Sequence, residues 1–140
     1  MNISKIVSHL IKRCKTRNPF EIADYLDITI FIEELGSING YYNKPLRMKQ
    51  IHINQDLDYN EKKFTCAHEL GHALLHPNSS TPFLRKSTFL SVDKLEIEAN
   101  KFAMELLISD DVLEENREFT IEQLSRMLGY HEKLIELRLK

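Results

Sequence analysis

Cysteine is scarce in this chain, with only Cys14 and Cys66 among 140 residues. Two thiols make no disulfide framework, and the expectation is a reduced, mostly buried pair without a redox role. Glycine and proline are also sparse, at four each, while 42% of the residues are hydrophobic and 29% charged. That balance excludes a disordered chain. About two-thirds of the unfolded surface of a chain this long is buried on folding, so residues 1–140 are expected to form one domain with no room for a second. No apolar run is long enough to span a bilayer. The opening stretch instead sets Ile3, Ile6, Val7, Leu10 and Ile11 at helical spacing, with Lys5, His9, Lys12 and Arg13 between them. This is an amphipathic helix over about residues 1–17 rather than a signal peptide, so the expected location is the cytoplasm. A formal net charge of −2 gives no field towards phosphate backbones, and direct nucleic-acid binding is not expected.

Asn18, Pro19 and Glu21 make a helix start: a side-chain cap, a proline in the first turn and an acid in the third position. The β-branched and aromatic run from Ile28 to Leu35 reads as a strand closed by Gly36. A short strand is expected over Gly40 to Tyr42, and the alternation from Met48 to Asn54 gives a third. Together they predict a small antiparallel sheet. Asp58 and Glu61 stand at capping-box spacing before a helix that runs to about Leu75 and stops before Pro77. The segment 78–91 is a loop whose Phe83, Leu84, Phe89 and Leu90 suit packing or substrate contact better than a free linker. A helix from about Val92 to Ile108 follows. Thr120 and Gln123 cap another that ends near Gly129, and a last helix closes the chain.

His68, Glu69 and His72 form the pattern H-E-x-x-H on the helix that this pattern requires. Residues four apart stand on one helix face, so both imidazoles can meet one Zn²⁺ while Glu69 flanks the position where water binds. A zinc-bound water has a pKa near about 7, and a neighbouring carboxylate can take its proton. The alternative is two surface histidines beside a solvated glutamate.

A catalytic zinc needs a third protein ligand. His76 is on the same face, but His68 and His76 would lie about 12 Å apart along the axis, too far to share an ion. His76 suits the helix C-terminus or the border of the site. In the following helix Glu96 falls within the apolar sector of Leu95, Ala99, Phe102, Ala103 and Leu106, about 60° from Ala99, whereas Glu98 lies near the sector's far edge and Glu105 further out. A carboxylate aimed into a core needs a compensating partner, which a metal would be. Alternatively, Glu96 reaches back to Asp93 in a capping box and stays near solvent.

The stretches CAHELGHALLHP (66–77) and LEIEANKFAMELL (95–107), with NPFEIADYLDI, GSINGYY and IHINQDL upstream, resemble the ImmA/IrrE family of metallopeptidases over roughly residues 18–108. The resemblance implies an α+β, zincin-like core over 18–108, with helices over 109–140 as additions. It also implies a zinc-ligand Glu followed four residues later by Asn, here Glu96 and Asn100, the latter orienting a ligand from behind. As substrate it implies a helix-turn-helix repressor of the same phage or integrative element. One departure is visible: Ile108 and Ser109 stand where family members commonly carry Met and Pro.

Three functions compete. In a zinc endopeptidase Glu69 is the catalytic base, and Tyr41, Tyr42 and His76 are candidate donors to the oxyanion. An extended substrate segment would pair with an exposed strand, with Gln50–Asn54 as the expected edge. The helix–Gly129–helix end would alternatively suit a DNA-binding regulator, though Glu132 and Glu136 among its few cations oppose phosphate contact. A zinc-bearing module that binds a partner without cutting it is the third, and such a module has no need of Glu69.

Overall fold

The computed structural model describes residues 1–79, 81, 83–84 and 90–140. Of the aromatic and leucine residues expected to pack from the 78–91 loop, Phe89 lies outside these. Leu84 is buried, while Phe83 and Leu90 are exposed.

Helix α1 (Ile3–Cys14) is capped by Asn2, whose side chain accepts from the Lys5 N–H, and buries Ile3, Val7 and Leu10. Helix α2 (Pro19–Tyr25) starts on the Asn18 cap and buries Ile22 and Ala23. Strands β1 (Thr29–Glu33), β2 (Gly40–Asn43) and β3 (Gln50–Asn54) then form a sheet in the order β1-β3-β2. Here the expectation of an antiparallel sheet is corrected. β3 runs antiparallel to β2 but parallel to β1, so the sheet is mixed. Alternation tells which side chains share a face, not which strands are neighbours, and β3 inserts between two strands that are consecutive in sequence.

The same insertion removes Gln50–Asn54 as a docking edge, because the central strand is paired on both sides. The outer edge at Gly40 is met by Leu84, whose N–H donates to the Gly40 carbonyl at 2.8 Å. Gly40 is required by close approach: a Cβ there would lie 2.5 Å from Thr65 Cγ2 and 2.6 Å from the His52 carbonyl oxygen.

Helix α3 (Tyr59–Leu75) begins on a complete capping box of Asp58 and Glu61, and His76 terminates it. Helix α4 (Lys94–Leu107) begins on Asp93. The two pack closely because Gly71 faces Phe102: a Cβ on Gly71 would meet that ring at 3.1–3.2 Å. Three helices follow, α5 (Asp110–Glu115), α6 (Ile121–Leu128) and α7 (Glu132–Leu139). The departure at Ile108 and Ser109 has a local meaning, since Ile108 is buried behind the end of α4 and Ser109 caps α5.

One apolar cluster joins α1, α2, the inner face of the sheet, α3 and, from α4, Phe102, Ala103 and Leu106. A second joins Met104 and Ile108 to Leu124, Tyr130, Leu134 and Ile135 of the C-terminal region. Two arginines fasten the end of α4. Arg17 donates to the carbonyls of Glu105 and Leu106, and Arg138 to that of Ile108. The cysteines are unbridged, Cys66 fully buried and Cys14 partly.

Candidate metal centre

The sequence from Thr65 to Ala73 is buried along α3 because this helix lies between the sheet and α4. His68, Glu69 and His72 are therefore all inaccessible, and Glu96 arrives from the first turn of α4 at 3% exposure. His68, His72 and Glu96 offer ligand atoms that all lie within 4.8 Å of one another. Glu96 Oε1 is 2.9 Å from His72 Nε2, and Oε2 is 3.0 Å from His68 Nε2. The second approach lacks hydrogen-bond geometry, and His68 Nε2 and Glu96 Oε2 are left buried without a hydrogen-bond partner.

Unpaired buried polar atoms are costly, and lone pairs converging on one point are what a cation compensates. The residues fit a divalent metal, and the two-imidazole, one-carboxylate set is that of an open catalytic site. His76 lies outside this group of three, as the axial spacing requires.

Asp93 caps α4 by accepting from the N–H groups of Leu95 and Glu96. The Glu96 side chain does not return the bond but goes to the imidazoles, so the alternative reading of Glu96 as a solvent-facing capping-box residue does not hold. Burial would raise the Glu96 carboxyl, but His68 and His72 outweigh it and hold the group at about 2.

Glu69 is in the opposite condition. Both its oxygens are buried without a hydrogen-bond partner. Burial, with the Glu96 charge adding and His72 opposing, pushes its carboxyl up to about 8. A desolvated carboxyl titrating near neutrality beside a candidate metal site has the character of a proton acceptor.

Behind the centre, the Asn100 Oδ1 accepts from His68 Nδ1 at 2.8 Å. His72 Nδ1 lies 3.0 Å from His76 Nδ1, and His76 Nε2 is 2.9 Å from Glu98 Oε1. Glu98 carries no sign of this role in the sequence, because its partner belongs to the far end of another helix. A hint is the recurrence of histidine at 68, 72 and 76, one per turn.

Tyr41 and Tyr42 point to opposite faces of the sheet. The Tyr41 ring stacks on His52 with centroids 4.3 Å apart, and His52 bonds Glu33 at 2.7 Å. Tyr42 packs against the main core with its hydroxyl buried and unpartnered among the described residues.

Fold and site together define a metal-dependent peptidase class in which one helix supplies two histidines and a base, and a second helix supplies a carboxylate. The family model of Peptidase M78, the IrrE N-terminal-like domain, matches residues 23–140, and the chain belongs to this ImmA/IrrE family of metallopeptidases. The match runs through the C-terminal helices, past residue 108 where the resemblance in the sequence motifs stops. The chain is 45% identical over 139 residues to the uncharacterized immunity region protein 2 of Bacillus phage phi105, covering 97% of this chain and 88% of that protein. It is 38% identical over 111 residues to the metallopeptidase ImmA of Bacillus subtilis strain 168, covering 78% of this chain and 64% of that protein. Among the described residues no helix is long and apolar enough to cross a membrane.

Proposed function

We propose that residues 1–140 act as one metallopeptidase domain, a zinc-dependent endopeptidase that cuts a helix-turn-helix repressor in the cytoplasm and so derepresses genes of a mobile element. The observation that carries the peptidase reading is the buried pair formed by the His68–His72–Glu96 cluster and the unpartnered carboxylate of Glu69 beside it. The repressor as substrate is supported by the family and by the name of the phage immunity-region relative.

His68, His72 and Glu96 would hold the ion, and Asn100 would fix the His68 ring from behind. Bound there, the ion would supply a Lewis acid and a water of lowered pKa. Glu69 would accept a proton from that water and return it to the leaving nitrogen as the C–N bond breaks. Of the three candidate donors to the oxyanion, His76 has both ring nitrogens already engaged, which leaves the hydroxyls of Tyr41 and Tyr42.

The test is incubation of the protein with the repressor encoded beside its gene, with new termini mapped by mass spectrometry. One cut, absent with Glu69→Gln, is expected. An intact repressor under conditions where the protein holds zinc would overturn the substrate assignment.

A further inference from the structure

We propose that His76 and Glu98 are positioning residues for the metal, forming with His72 a directed chain of hydrogen bonds in which each ring is held in one tautomer and one orientation. This rests on the reading of His68, His72 and Glu96 as the metal ligands.

The chain follows from proton counting. His72 turns Nε2 towards Glu96, at 2.9 Å, and Nδ1 towards His76 Nδ1, at 3.0 Å. A ligand nitrogen must present a lone pair, so a neutral His72 carries its proton on Nδ1. Two facing ring nitrogens share one proton, and His76 Nδ1 therefore accepts. A neutral His76 then has its proton on Nε2, where only an acceptor can stand. Glu98 Oε1 stands there, at 2.9 Å. Every proton in the chain is assigned by the atom beyond it. His68, by contrast, is held by one amide oxygen of Asn100.

Burial gives the chain its strength. His72 is fully buried, His76 is 6% exposed, and the Glu98 side chain is 17% exposed. A ring N–H left unmade in such surroundings costs more than the bond gains. His76 is also tied to His72 through the backbone, its N–H donating to the His72 carbonyl at 2.8 Å as the cap of α3. Pro77 follows and ends the helix there. The helix end thus places the positioning ring, and Glu98 on α4 locks it, so that α4 contributes to both histidine ligands from behind as well as one carboxylate in front.

The test measures zinc affinity of the full chain by competition with a chromophoric chelator, and the visible spectrum of the Co²⁺-substituted protein. Glu98→Ala and His76→Ala are expected to weaken zinc binding about 10- to 100-fold and to shift the cobalt bands. The double variant should be little weaker than the worse single variant, because both remove one chain. His76→Asn should recover much of the affinity, since its Oδ1 takes the place of His76 Nδ1 and can accept from His72 Nδ1. If His76→Ala does not fold, Glu98→Ala, at the rim, carries the test. Zinc affinity within twofold of wild type in Glu98→Ala, or losses that simply multiply in the double variant, would overturn the proposal while leaving the metal centre standing. A wild-type protein that binds no zinc, or a Glu96→Ala variant that binds it normally, would overturn both.

Discussion

Glu69 has no protein partner for either carboxylate oxygen among the described residues, and its titration is correspondingly displaced. In the metal-free protein its carboxyl titrates at about 8 against an ordinary 4.5. Between those values the folded chain keeps a proton that the unfolded chain has lost, so stability falls as pH rises through this window and is flat above it. At about 1.4 kcal/mol per unit the whole effect is at most about 4–5 kcal/mol. Glu69→Gln should abolish it. Urea unfolding in excess chelator should show the variant's advantage over wild type growing from pH 4.5 to 8, and a constant difference would mean the carboxyl is not desolvated. Glu96 behaves oppositely: its carboxyl is lowered to about 2, so its contribution is present above about 4.5 and is lost as pH falls through 2. With zinc supplied, Glu69→Gln should retain about one ion per chain by elemental analysis yet cut nothing, since an amide cannot accept the proton.

At the scale of elements, the α3–α4 pair decides the site, and Gly71 decides how close the pair comes. Gly71→Ala gains about 1 kcal/mol of helix propensity but presses a methyl onto Phe102, an overpacking cost of about 1–3 kcal/mol. A net loss of stability and weaker zinc binding are expected. Both should be smaller in a Phe102→Leu background, as a double-mutant cycle by thermal unfolding and chelator competition would show.

These two helices were legible in the sequence because caps and a 3.6-residue period both report on a helix. The angular position of Glu96 within the apolar sector led to the buried face it occupies. The sheet was legible only as strands, since alternation fixes faces and leaves neighbour order open, and so the parallel β1–β3 pairing and the enclosed position of Gln50–Asn54 could not be read. Glu98 was invisible for a related reason: its angle on α4 is informative about the core, whereas its partner His76 is set by where α3 stops. Helix α5 escaped because its six residues span fewer than two turns, too few for a period to repeat, although Ser109 before two acidic residues is a cap signal.

For the whole molecule, the proposed repressor substrate sets the expectation. If binding energy from contacts remote from the cut positions the bond, whole repressor should be cleaved far better than a short peptide spanning the same bond. Comparable cleavage of casein, followed by gel electrophoresis, would replace the antirepressor reading with a general peptidase.

Helix α4 bears on one further property, the freedom of this sequence to drift. Its 14 residues serve a ligand, the residues behind both histidine ligands and two apolar clusters, while Arg17 and Arg138 grip its end. Only Lys94 and Ile97 are exposed along it. A saturation library sorted for retained fold and metal should therefore accept varied residues at those two positions and very few at the others. The outward residues of α1, such as Lys5 and Lys12, should accept nearly anything polar. Change in this lineage would accumulate around α4 and leave α4 itself almost still.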